Sequence, residues 1–198
     1  MRLFACDVCS NTVHFDNTAC LGCGRGLGWV AELDRPTATE VEGERLVSPA
    51  LGRAFAACAN AARDGCNWLV PIERAGEACP ACRHDRTLPD LSDPRAAAAY
   101  RRIAAARRHL MRALLALGLR PATRAEDPAG GLAFDFLADG VGPSGEPLPA
   151  MTGHAGGVIT LALAEADDAE REARRTALGE PERTLLGHFR HEIGHYWW

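Results

Sequence analysis

The chain has 198 residues, 47% of them hydrophobic, which leaves room for one medium domain plus small modules. Its formal net charge of -4 argues against bulk affinity for nucleic acid, and no segment approaches the ~20 apolar residues that a membrane span needs. Every basic residue is arginine, which in so alanine-rich a chain reads as genome composition rather than function. The N-terminus, Met1 to Cys6, has no apolar run of signal-peptide length, so the expected location is the cytoplasm. Eight cysteines in such a chain point to metal ligation rather than to disulfides.

Cys6 and Cys9 form a C-x2-C pair, and Cys20 and Cys23 form another. Each pair puts two thiolates on a tight knuckle, where both reach one ion at ~2.3 Å. Gly22, Gly24 and Gly26 relieve crowding around the second knuckle, and short strands are expected at Thr12–Phe15 and Leu27–Leu33. Residues 1–34 therefore read as a zinc ribbon, too small to fold without its metal. Iron in a rubredoxin-like site uses similar spacing and stays open as an alternative. Residues 35–92 carry a second set: Cys58, Cys66, Cys79 and Cys82. Only Cys79-Pro80-Ala81-Cys82 is a regular knuckle, yet a second four-thiolate zinc site is the preferred reading. The rival is that Cys58 and Cys66 are small buried hydrophobes near Trp68 and Leu69. His84 is a substitute ligand in principle, although a lone histidine past a knuckle is more often a surface residue.

Residues 93–198 form the third region. Asp93 as N-cap and Pro94 at the first helical position open a long helix that Gly118 and Pro121 end. Tyr100, Ile103, Leu110, Leu114 and Leu117 make its expected buried stripe, while Arg101, Arg108 and Arg112 read as a solvated face rather than a phosphate site. A loop is expected over 122–131, a short strand over 132–137, and a Gly- and Pro-rich loop over 140–149. Gly157 to Leu163 is the best strand of the chain. Glu165, Asp167, Asp168, Glu170 and Glu172 suit the positive end of a following helix better than they suit calcium. Gly179 ends that helix, and Pro181 begins the next.

The last segment holds His191-Glu192-Ile193-Gly194-His195. H-E-x-x-H on a helix puts two imidazoles one turn apart on one face, where both can grip zinc, and Glu192 beside them can take a proton from the ion's water. Leu185, Phe189, Ile193 and Tyr196 fall on the face expected to pack, with His188, His191 and His195 on the neighbouring one. His188 is expected to support the site or to lie exposed, and His154 has no strong assignment. A mid-helix glycine costs ~1 kcal/mol against alanine, so a close approach is expected to compensate at Gly187 and Gly194.

These segments together resemble bacterial zinc-binding metallopeptidases with an N-terminal zinc-ribbon region. The resemblance rests on Cys58-Ala59-Asn60 with Cys66-Asn67-Trp68-Leu69-Val70, on Cys79 to Cys82 with Arg86-Thr87-Leu88-Pro89-Asp90-Leu91, and on Met151-Thr152-Gly153-His154. It continues through Ile159-Thr160-Leu161, Glu165-Ala166-Asp167-Asp168 and Thr184 to Tyr196. It implies that Cys58 and Cys66 are ligands, and it implies an α+β fold: zinc-ribbon modules followed by an incomplete zincin-like domain. Members of the family continue well past the H-E-x-x-H helix, so the third catalytic ligand and the far wall of the cleft are expected beyond Trp198.

The resulting expectation is a zinc peptidase that acts on peptide or protein substrates when full length and is incomplete in this form. His191 and His195 would be its catalytic zinc ligands, Glu192 its base, and the Gly157–Leu163 strand a place for substrate to pair in extended form. Two structural zinc ions would sit in the cysteine sets. The rival class is a binding module in which the ribbons recruit a protein or nucleic-acid partner, with Phe15 and Trp29 stacking on bases. A third reading leaves the terminal histidines without metal. The sequence does not specify oligomeric state.

Overall fold

Two sheets divide the chain into two units, Met1–Cys82 and Arg83–Trp198, in a computed structural model that describes residues 2–179 and 184–198.

The first unit begins with a small hairpin, β1 (Phe4–Ala5) against β2 (Thr12–Val13), whose connection is the first knuckle. The second knuckle turns on Gly24, at φ +73°, where its amide closes on the Cys20 carbonyl at 2.8 Å. A side chain there would strain the left-handed backbone, so glycine suits the turn. An antiparallel meander follows: β3 (Gly26–Val30), β4 (Arg35–Glu42), β5 (Arg45–Ser48), β6 (Arg53–Ala57), the short helix α1 (Ala61–Asp64) and β7 (Leu69–Pro71). The β3–β4 hairpin pairs Val30 with Arg35 and turns through Asp34 at φ +45°. The expected boundary between residues 34 and 35 thus falls inside a hairpin, and both cysteine sets share one unit. The expected strands shorten to β2 and β3, because Ala31–Leu33 winds into a 3-10 turn.

The Trp29 amide bonds to the Asn67 carbonyl at 2.8 Å, which curls the end of the meander back onto β3. Phe4, Phe15 and Trp68 gather around Trp29 with ring centroids 4.8 to 6.4 Å away. Phe15 and Trp29 are buried, so they are core residues and not a base-stacking surface. Burial of a side chain like Phe15 contributes roughly 1.5–3 kcal/mol. Beneath the first knuckles the core is thin, with Cys6, Val13, Cys20, Leu27 and Ala38 making one cluster.

The second unit is built on a four-stranded sheet in the order β12-β13-β9-β8. β8 (Asp85–Thr87) leads to α2 (Pro94–Ala116), which crosses over to the parallel strand β9 (Ala133–Leu137). The Asp93 carboxylate accepts the Arg95 amide at 2.9 Å, the expected cap. Tyr100, Ile103, Leu110 and Leu114 are buried as expected, but Leu117 is 74% exposed because the helix has already ended at Ala116. Arg108 corrects the expectation of a solvated face: it is buried, and the neighbouring Arg107 is fully so. Arg107 pairs with Asp85 and lies 5.8 Å over the Phe136 ring, and Tyr100 Oη donates to Asp85 at 3.1 Å.

The Gly- and Pro-rich loop contains a small hairpin, β10 (Gly140–Val141) with β11 (Pro147–Leu148). Then come β12 (Gly153–Ala155) and β13 (Val158–Ala162). β13 pairs with β12 on one side and β9 on the other, so the strand proposed to receive substrate has no open edge. The open edge at that end of the sheet belongs to β12. Asp167 caps α3 (Asp168–Leu178) by accepting from Ala169 and Glu170, and Gly179 ends it at φ +65°. Glu165 is absent from that helix; it is buried in the preceding 3-10 turn. The expected start at Pro181 lies outside the described residues. The last helix, α4 (Leu185–Trp197), is capped by the Thr184 hydroxyl. Among the described residues no helix is long and apolar enough to cross a membrane.

Candidate metal centres

All four sulfurs of Cys6, Cys9, Cys20 and Cys23 lie within 4.8 Å of one another, and so do those of Cys58, Cys66, Cys79 and Cys82. Four sulfurs around a tetrahedral zinc at ~2.3 Å stand ~3.8 Å apart. The first set shows 3.9 Å for Cys6 to Cys23 and 3.5 Å for Cys9 to Cys20. In the second, Cys66 stands 3.7 Å from Cys79 and 3.6 Å from Cys82. Both donor sets therefore fit the ion that the spacing suggested, including Cys58 and Cys66, whose irregular interval is spanned by α1. Cys58 is tied in by the amides of Cys79 at 3.3 Å and Asn60 at 3.5 Å.

Within each set the thiols are pushed in opposite directions. The Cys23 amide, with help from Gly22, lowers the Cys20 thiol to about 6. Hydrogen bonds from Cys66, Cys79 and Cys82 hold Cys58 well below the usual thiol range, while burial pushes Cys79 up. Protons are thus unevenly held among packed thiols, a state that a divalent cation resolves by replacing them. His84 is not part of the set. It is buried, with Nδ1 3.1 Å from the Leu132 carbonyl.

The third grouping is on α4. Thr184 Oγ1 accepts the Gly187 amide at 2.9 Å, and Phe189 and Ile193 are buried, with the Phe189 ring 5.6 Å from that of Phe134. That anchoring turns His191 and His195 outward, where their Nε2 atoms converge to 3.1 Å. Two nitrogens on one zinc at ~2.0–2.1 Å stand ~3.3 Å apart in a tetrahedron, so the pair fits one ion. Glu192 lies between them in sequence and is partly buried. Among the described residues, no further His, Cys, Asp or Glu atom joins the pair within 4.8 Å.

Two histidines that the sequence left without a firm role lie on or near this helix. His188, one turn before His191, has Nδ1 3.2 Å from Glu165 Oε2, a fully buried carboxylate oxygen. His154 on β12 stacks near His195, with ring centroids 6.4 Å apart. The glycines divide. A Cβ on Gly187 would come within 2.9 Å of Thr184 Oγ1, a close approach like the one expected, whereas one on Gly194 would meet nothing within 4 Å.

Comparison with known proteins gives the family of each region. Residues 96–198 match the family described as "Putative zinc-binding metallo-peptidase", and residues 3–93 match a zinc-ribbon domain. Uncharacterized proteins of Mycobacterium bovis and Mycobacterium tuberculosis are 40% identical over 197 residues, covering 100% of this chain and 53% of theirs. The chain thus spans about half the length of these curated relatives. No solved structure shows a significant match.

Proposed function

The chain belongs to this zinc-binding metallo-peptidase family, and from that premise we propose that α4 carries the hydrolytic centre of a zinc-dependent peptidase, with two structural zinc sites in the first unit. The observation that carries the reading is the 3.1 Å convergence of His191 and His195 on a helix whose opposite face is buried. His191 and His195 would hold the ion, and zinc bound there would supply Lewis-acid charge to polarise a peptide carbonyl. Glu192 takes the proton as water adds to the carbonyl carbon and the π electrons move to the carbonyl oxygen. It then returns that proton to the nitrogen as the C–N bond breaks. The buried Glu165 carboxylate lies beside His188 near the start of the helix, with Oε2 3.2 Å from Nδ1.

The Cys6, Cys9, Cys20, Cys23 and Cys58, Cys66, Cys79, Cys82 sets stabilise the first unit in this scheme and take no part in hydrolysis. The substrate is an extended peptide or protein segment. Hydrolysis of a mixed peptide pool by zinc-loaded protein spanning the length of the relatives, assayed with the zinc content, tests the proposal. Glu192→Gln is expected to keep its zinc and lose hydrolysis, and full activity in that variant would remove Glu192 as the base.

A further inference from the structure

His154 stands on β12, the edge strand of the second sheet, beside the histidine pair. Its ring is nearly parallel to that of His195, 12° between planes at 6.4 Å, and edge-on to Tyr196 at 6.5 Å. The hairpin that carries it is tightly seated. A Cβ on Gly157, whose φ is +81°, would come within 2.8 Å of the carbonyl oxygens of Gly130 and Gly131. The Arg124 guanidinium donates to the carbonyls of Gly156, Pro128 and Ala129. Turn and loop are thereby locked together.

The hairpin also fixes the tautomer. The Gly157 amide lies 3.2 Å from His154 Nε2, and an amide N–H only donates, so Nε2 accepts. In the neutral ring the proton then sits on Nδ1. A ring in that state has no bare nitrogen for a metal, and its atoms do not join those of His191 and His195 within 4.8 Å. His154 is therefore a donor beside the pair rather than its third ligand.

We propose that His154 is a substrate-binding residue of this centre. Its Nδ1–H hydrogen-bonds to the carbonyl oxygen of a peptide held at His191 and His195 and stabilises the negative charge that the oxygen gains as water adds. The inference rests on the zinc reading of α4 and adds a group to it. A donor seated on a rigid hairpin needs little reorganisation when that charge develops.

The test uses the full chain and two probes, zinc alone and acetohydroxamate, whose carbonyl oxygen presents the same acceptor. Chelator competition measures zinc at the histidine pair, and calorimetry measures acetohydroxamate binding to the loaded protein. His154→Phe is expected to keep the zinc affinity and to bind acetohydroxamate about tenfold more weakly, the scale of one lost hydrogen bond. His154→Asn, which restores an N–H donor near the same place, is expected to recover most of that loss. His154→Leu replaces the Phe variant if it misfolds, as judged by its thermal midpoint. A drop in zinc affinity in these variants would make His154 a ligand and overturn the proposal. Unchanged acetohydroxamate affinity would overturn it as well. A wild-type chain that binds zinc only in its cysteine sites would instead sink the underlying zinc reading, and His154's role with it.

Discussion

Replacing Gly194 with alanine is expected to stabilise the second unit by ~1 kcal/mol. The residue lies inside α4, between Glu192 and His195, and is not among the glycines with positive φ. Alanine gains ~0.8–1 kcal/mol over glycine in a helix interior, provided its methyl group has space. Here that methyl would meet nothing within 4 Å. Gly187 provides the internal control on the same helix. Its methyl would press within 2.9 Å of Thr184 Oγ1, the oxygen that caps the helix. Displacing a threonine cap costs ~1 kcal/mol, which offsets the propensity gain. Gly187→Ala is thus expected to be near neutral. Thermal unfolding followed by circular dichroism, at fixed zinc, reads the difference as a rise of ~4 °C for Gly194→Ala. A fall in midpoint for Gly194→Ala, or an equal rise for both variants, would refute the reasoning. The proposed cleft adds a second expectation. If peptide backbone approaches the open face at Gly194, the stabilised variant will hydrolyse peptides more slowly.

Arg107→Met is expected to destabilise the second unit by ~3–5 kcal/mol, because it removes a fully buried guanidinium from the Asp85 carboxylate, and Asp85→Leu in the same chain should recover part of that in chemical denaturation. Cys66→Ser should remove both tightly held zinc equivalents by elemental analysis, because the two sets share one meander, and melt the first unit at a lower temperature; unchanged zinc content would rule it out as a ligand. Arg86 holds the Asp135 carboxyl below its ordinary range. That contribution is fully present above the unfolded aspartate value, near 3.9, and is lost as pH falls through the lower folded value. Arg86→Gln should therefore cost ~1 kcal/mol at neutral pH, and its deficit against wild type should shrink below about pH 4 in acid unfolding curves.

What the sequence revealed was local. The C-x2-C knuckles and the His191–His195 pair are set by spacing along one turn or one helix, so residue order alone places their donor atoms together. Asp93 and Pro94 mark the start of α2 for the same reason. What it concealed depends on partners distant in sequence. Arg108 reads as part of a solvated face, yet it is buried, next to Arg107, which Asp85 and the Phe136 ring hold in a buried seat. Glu165 sits in an acidic run that suits a helix start, and only the fold brings it to His188. The Gly157–Leu163 stretch was legible as a strand, but its neighbours on both sides were not, so its availability to substrate was misjudged. His154 had a weak signal in the Gly-Gly pair that follows it, the mark of a tight turn, with nothing to say what the turn presents.

The hairpin that crosses residue 34 gives the two thiolate sets a common fate. β3 leaves the first knuckle pair and β6 and β7 lead into and out of the second, within one continuous meander. Withdrawing either ion frays strands that the other depends on. Partly metallated molecules should therefore be scarce: at limiting zinc the population splits into chains carrying both ions and chains carrying neither, and the first unit registers zinc supply as a threshold rather than a gradient.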